Sequence, residues 1–147
     1  MQGAFFSIFI TGGTKLLNPY DKYRSNAINT ATKEELTLML YDGAVKFCNQ
    51  ALASMENKDH VKTNDAIRKV QNIVREFQIT LDKKHDIANQ LDQLYEYIHH
   101  RLVEANLKKD MEILTEARDH LRSMRDTWKD AMKLAKQQQS PATRAQG

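Results

Sequence analysis

The stretch DMEILTEARDHLRSMRDTWKDAMKLA, residues 110–135, decides the fold. Leu114, Ala117, Leu121, Met124, Trp128, Ala131 and Ala135 recur in it at alternating steps of 3 and 4 residues. That rhythm puts every apolar side chain on one side of an α-helix and is the seam of a helical bundle. Asp110 stands where an N-cap is needed, its carboxylate able to accept from the first free amides. A helix with one apolar seam needs other helices to bury it, and the rest of the chain supplies them.

Reading back from Asp110, a third helix starts near Asp86, with Ile87, Leu91, Leu94, Ile98, Leu102 and Ala105 on one stripe. A second runs from near Asp59 to about Leu81, with Ala66, Val70, Ile73, Phe77 and Leu81 flanked by Ile67 and Val74. A first begins at the capping box Thr32-Lys33-Glu34-Glu35, where Thr32 and Glu35 can each satisfy the other's backbone amide, and runs to about Glu56. Its stripe is Leu36, Met39, Leu40, Gly43, Phe47 and Ala51. The breaks are Asn57-Lys58, Asp82 to His85 and Leu107 to Lys109. Links this short force antiparallel neighbours. The expected fold is all-α: an antiparallel up-down-up-down four-helix bundle over residues 32–136, with an N-terminal segment packing on it. Its expected core is Leu36, Leu40, Phe47, Val70, Ile73, Phe77, Leu91, Ile98, Leu102, Leu114, Leu121 and Trp128.

Composition agrees. Pro19 and Pro141 are the only prolines of 147 residues, and between them lies one glycine, Gly43. A β-sandwich or an α/β domain needs turn residues far more often than that. The single cysteine, Cys48, excludes an intramolecular disulfide and a cysteine-based metal cage. A net charge of +3, with acids and bases interleaved as in Arg118-Asp119 and Arg125-Asp126, lacks the one-sided basic face of a nucleic-acid binder.

The ends read differently from the middle. Residues 4–10, Ala-Phe-Phe-Ser-Ile-Phe-Ile, are apolar but far short of the roughly 20 residues that span a bilayer, so no membrane insertion is expected. No positive charge precedes them, as a secretory signal would require. Gly12-Gly13 can be encoded by GGAGGT, a ribosome-binding sequence, and Leu17 by TTG, a start codon. Residues 1–16 therefore read either as a leader outside the native protein or as a disordered leader, residues 17–31 as an N-terminal segment, and residues 137–147, polar and interrupted by Pro141, as a disordered tail.

Helix one carries a second apolar stripe. At about 100° per residue, Leu38, Tyr41, Val45 and Leu52 fall away from Leu36, Leu40, Gly43 and Phe47. Assigning the latter to the core leaves the former outward, where a partner, or the chain's own segment with Tyr20, Tyr23 and Ile28, would cover them. Both hold if that segment is a lid that a partner displaces. Candidate chemistry is thinner. Glu96-Tyr97-Ile98-His99 is one Glu-x-x-His element of a di-iron bundle, but a metal-binding bundle needs a second such element and further inward glutamates. Neither nucleophile elbow nor phosphate loop is present, so the expectation is no enzyme, no metal and no cofactor.

Asn18-Pro19-Tyr20-Asp21-Lys22-Tyr23, Asn29-Thr30-Ala31 leading into Glu34-Glu35-Leu36-Thr37-Leu38-Met39-Leu40-Tyr41-Asp42-Gly43-Ala44, Leu94-Tyr95-Glu96-Tyr97-Ile98, Arg101-Leu102-Val103-Glu104-Ala105-Asn106 and Arg125-Asp126-Thr127-Trp128-Lys129-Asp130-Ala131 resemble, in that order, the flagellar secretion chaperone (FliS) family. The resemblance covers Asn18 to about Met132. It implies a cytoplasmic, non-enzymatic bundle that holds the C-terminal segment of flagellin as helices in apolar grooves. Such binding blocks premature polymerisation and presents the subunit to the flagellar type III export gate. It also implies an N-terminal lid that flagellin displaces. On that footing the partner-binding candidates are Tyr20 and Tyr23 in the lid and Leu38, Tyr41, Val45 and Leu52 in the groove, joined by Tyr95 and Tyr97. A homodimer through the same stripe stays open for the client-free protein, and a generic helical-bundle adaptor is the alternative.

Overall fold

Local chemistry sets where the helices begin. In the computed structural model, which describes residues 31–139, the amide of Glu35 donates to Thr32 Oγ1 at 3.1 Å and the amide of Thr32 to Glu35 Oε1 at 3.4 Å. This reciprocal pair opens α1, Lys33–Glu56, and Glu34 and Glu35 add favourable charge at its positive end. Asp59 accepts from the amide of Lys62 and starts α2, His60–Thr80. Helix α3 spans Asp86–Lys108. Asp110 Oδ1 then accepts from the amides of Glu112 and Ile113 at 2.9 and 3.2 Å, opening α4, Met111–Gln139. Two links turn on a non-glycine residue in the left-handed region, Lys58 (φ 56°) and Lys109 (φ 51°). The expected helix ends are met within a residue or two, except that α4 continues to Gln139, past the expected boundary at 136. The leader, the N-terminal segment with Tyr20 and Tyr23, and the tail beyond Gln139 lie outside the described residues.

Cross-helix contacts give the topology. Phe47 meets Lys69 and Gly43 lies over Ile73 between α1 and α2. Arg75 reaches Glu96 and Gln78 reaches Asp92 between α2 and α3. Tyr97 packs on His120 and Arg101 reaches Glu116 between α3 and α4. Asn49 meets Arg118, Asp42 meets Arg125, and Glu34 meets Trp128 between α1 and α4. In each seam one number rises as the other falls, so all four neighbours are antiparallel. The first helix packs on the last and closes an up-down-up-down four-helix bundle.

The core is aromatic across its diagonal. Phe77 lies 4.4 Å from the Tyr41 ring and 5.4 Å from the Tyr95 ring, centroid to centroid. The two tyrosine hydroxyls share a 2.7 Å hydrogen bond. All three side chains are essentially inaccessible, and burial pushes both phenols well above their ordinary range. Trp128 is wholly buried, and its indole Nε1 donates to the carbonyl of Glu34 at 3.0 Å. Thr37, Thr63 and Thr80 are also buried, each donating its hydroxyl to the carbonyl four residues earlier.

These contacts correct the expected face of α1. Its buried arc is Thr37, Tyr41, Ala44, Val45, Cys48, Ala51 and Met55. Tyr41 and Val45, expected to face outward, are 1% and 5% exposed. Leu36, Leu40 and Phe47, expected as core, are only half-buried. The two stripes of large residues are shoulders, and the axis of burial runs between them along the small side chains Ala44, Cys48 and Ala51. Small residues there let the neighbouring helices approach closely, and the large residues on either side then wrap onto them. Leu91, another expected core residue, is also half-buried.

The hydroxyl pair yields a stability test. Tyr41→Phe and Tyr95→Phe each remove one partner of a buried hydrogen bond, and each is expected to cost about 1–3 kcal/mol in denaturant unfolding. The double variant is expected to cost less than the sum of the two, because neither hydroxyl is then left to seek the other. Strict additivity would show that the bond contributes nothing.

Candidate docking surface

Each seam of the bundle has its own chemistry. The α2/α3 seam is polar. Arg75 donates to Glu96 Oε1 at 2.8 Å and to Gln78 Oε1 at 2.6 Å, and Gln78 donates to Asp92 at 3.1 Å. Asn106 donates to Asn64 at 2.6 Å near the far end. The hydrogen bond from Arg75 holds the Glu96 carboxyl below its usual range. His99, also against Arg75 at 3.2 Å, is held below the usual imidazole value by partial burial and by that guanidinium. The Glu-x-x-His element therefore converges on an arginine.

The α3/α4 seam is a second polar lattice. Tyr97 donates its hydroxyl to Glu116 Oε2 at 2.6 Å, and Arg101 donates to Glu116 Oε1 at 2.8 Å and to Glu104 at 2.7 Å. The Tyr97 ring packs edge-on against His120 at 5.9 Å. Hydrogen bonds from Tyr97 and Arg101 lower the Glu116 carboxyl, and the same bond raises the Tyr97 phenol. On the α1/α4 seam Arg118 donates to Asn49 at 3.0 Å and Arg125 pairs with Asp42 at 3.6 Å.

The α1/α2 seam is built from other materials. Leu36, Leu40, Gly43 and Phe47 form a row at steps of 4, 3 and 4, all half-buried, with Met39 beside them. Ile73 of α2 floors the row beneath Gly43. At one end the Lys69 ammonium, paired with Asp65 at 3.2 Å, sits 5.2 Å from the Phe47 ring centroid. At 1.5 Å per residue the row is about 16 Å long. It is an apolar furrow fit for the apolar face of an amphipathic helix.

The sequence-derived site residues scatter across this frame. Tyr41, Val45 and Tyr95 are inside, the two tyrosines brought together as a core pair. A solvent-borne partner cannot reach them while the bundle is closed, which overturns their place on an exposed groove. Leu38 and Leu52 are half-buried on the α4-facing shoulder, in the row that holds Glu34, Asp42 and Asn49. Tyr97 is 44% exposed but lies on the α3/α4 seam, tied to Glu116. Tyr20 and Tyr23 are outside the described residues. The furrow row was read as core. The signal that could have marked it is Gly43, a helix-breaking residue in the middle of a well-formed helix.

Reactive chemistry is sparse here. Cys48 is fully buried, and burial pushes its thiol up to about 12 against the opposing pull of Arg118. At neutral pH it is a protonated packing group. Among the described residues no helix is long and apolar enough to cross a membrane.

Comparison with known proteins narrows the reading. Residues 16–135 match the family model described as flagellar protein FliS. The chain is 41% identical over 115 residues to a flagellar secretion chaperone FliS of Bacillus subtilis, covering 78% of this chain and 86% of that protein. It is 30% identical over 118 residues to a protein of the same name from Salmonella typhimurium, covering 78% and 87%. For the Escherichia coli protein of that name the identity is 27% over 110 residues, covering 73% and 81%.

Cys48 offers a test of this packing. With the thiol buried and its pKa raised, a thiol reagent such as DTNB at about pH 8 is expected to label the native protein only as fast as the bundle opens. Denatured protein should label at once. Rapid labelling of the native state would place Cys48 at the surface and overturn the packing of α1.

Proposed function

The chain belongs to the FliS family of flagellar secretion chaperones, and from that premise we propose that its client is the C-terminal segment of flagellin, held in the cytoplasm as helix along the α1/α2 furrow. The family consists of chaperones and not enzymes, so the relevant chemistry is recognition. One observation supports the assignment to this surface: the half-buried apolar row Leu36, Leu40, Gly43 and Phe47 on a bundle whose other seams are bridged by polar pairs.

The energetics fit a reversible chaperone. A disordered client spends about 2–5 kcal/mol on becoming ordered. Apolar burial at about 25 cal/mol per Å² must exceed this, and a furrow three turns long offers several large side chains for it. Leu38 and Leu52 on the other shoulder of α1 extend the apolar surface toward α4, so a long client could wrap both sides. Residues 17–31, with Tyr20 and Tyr23, serve in this reading as the lid that the client displaces. Holding the segment as helix keeps it from the contacts of the filament until it reaches the flagellar type III export gate.

Calorimetric titration with the C-terminal peptide of flagellin from the same organism tests the reading. Binding at micromolar Kd or tighter, one to one, with a strongly negative heat-capacity change, is expected for coupled folding onto an apolar groove. Leu36→Asp is expected to weaken binding at least about tenfold, or about 1.4 kcal/mol, with an unchanged helical circular dichroism spectrum. Tyr97→Ala, on a different seam, should leave the affinity alone. A normal Kd for a folded Leu36→Asp protein would remove the furrow as the site. Self-association with no response to flagellin would favour the generic adaptor.

A further inference from the structure

Among the described residues, the polar lattice between α2 and α3 contains one group whose charge changes near neutral pH. Asp92, Glu96 and His99 stand on α3 at steps of 4 and 3, and Arg75 and Gln78 face them from α2. Lys83 of the link joins the lattice through Asp92 at 3.5 Å. Arg75 is its hub. Nη1 donates to Glu96 and to Gln78, and Nη2 lies 3.2 Å from His99 Nδ1. A guanidinium carries donors and no acceptor, and it keeps its proton in proteins. His99 Nδ1 must therefore supply the lone pair of that contact, so the imidazole is neutral with its proton on Nε2. The carboxylates, the guanidinium and the ammonium around it hold their charge between about pH 5 and 8.

A second proton on His99 removes the lone pair and sets two cations side by side, which each disfavours in the other. The charged and titratable groups that act on His99 are Arg75 from α2 and Glu96 and His100 from its own helix. Burial and the guanidinium hold the imidazole below its ordinary range, against the pull of Glu96. Once His99 is protonated, Glu96 attracts both cations, and Arg75 loses its exclusive hold on α3. Arg75 stands midway between Ile73, which lies under Gly43, and Phe77, which packs against both buried tyrosines. We propose that His99 is an acid-sensitive latch between α2 and α3: neutral, it accepts from Arg75 and holds the two helices together, and protonated, it turns from Arg75, competes for Glu96 and loosens the central turns of α2. Folding lowers the proton affinity of His99. The stability it contributes is therefore complete above the ordinary imidazole range and is lost as the pH falls below that range through the folded-state value.

His99→Asn supplies a control blind to acid, because an asparagine carbonyl oxygen can accept at the place of Nδ1 and takes up no proton. Thermal unfolding compares the two proteins at about pH 7.5 and about pH 5.5, on either side of the imidazole range. Across that interval the wild type is expected to lose about 2–4 °C more of its Tm than the variant. At the acid pH the amides of residues 73–77 are expected to exchange with solvent at least about threefold faster in the wild type, and at the neutral pH at equal rates. The intrinsic effect of pH on exchange is common to both proteins and cancels in the ratio. Proton NMR follows the His99 ring directly. In Arg75→Gln its titration is expected to move up toward the ordinary imidazole value, a shift that a merely structural contact would not produce. An equal acid response in wild type and His99→Asn overturns the latch. So does a His99 titration that Arg75→Gln leaves unmoved, and that measurement decides the matter should His99→Asn fail to fold.

Discussion

The arrangement depends on one hydrogen bond, the 2.7 Å contact between the hydroxyls of Tyr41 and Tyr95. A helix with large apolar residues on two shoulders can bury either by turning about its own axis. Area alone separates these alternatives weakly, because leucine and phenylalanine stand on one shoulder and leucine and valine on the other. A buried phenol is different: it must find a partner or carry a desolvation cost. Tyr41 of α1 and Tyr95 of α3 meet across the bundle with Phe77 packed against both rings, and this fixes the rotation of α1. The row Leu36–Phe47 then turns toward α2 with one edge in solvent. Trp128, donating to the Glu34 carbonyl at the start of α1, holds the same rotation from α4.

This explains what could be read from the amino-acid order and what could not. The ends of the helices were legible because capping is local. Thr32 with Glu35, Asp59 and Asp110 lie within three residues of the amides they satisfy. The antiparallel bundle was legible because short links leave no other connection. The inward face of α2 was legible too, since Val70, Ile73 and Phe77 belong to one dominant stripe. On α1 the order of residues misled. The centre of its buried arc is made of Ala44, Cys48 and Ala51, which weigh little in any count of hydrophobic residues, while the bulky flanks draw attention to themselves. The cue that would have resolved it, a phenol needing a partner 54 positions away, is a tertiary fact. Tyr97 and Tyr95 were both groove candidates, yet they lie on different faces of α3. Two residues along a helix is a rotation of about 200°, which carries Tyr97 to the Glu116 seam.

The bundle divides labour among its seams. Arginines 75, 101, 118 and 125 each bridge two helices, and each meets a carboxylate or amide on the neighbouring helix. Exposed ion pairs add little stability individually. Their value here is positional, since a guanidinium fork constrains the slide of one helix along another. Among the described residues the α1/α2 row is made of apolar side chains with the Lys69 ammonium over the Phe47 ring, which is the reason for proposing it as the client's seat.

Trp128 has a further consequence. It is the chain's only tryptophan, it is wholly out of solvent, and it touches the first turn of the helix that carries the furrow. The molecule therefore contains a built-in optical reporter. Ultraviolet excitation at the red edge of protein absorption addresses one indole in one environment, with no label added. Any event that shifts the amino-terminal turn of α1 changes the polarity around that ring and the colour of its emission. A change at the start of α1 can therefore be followed in real time from within the protein itself.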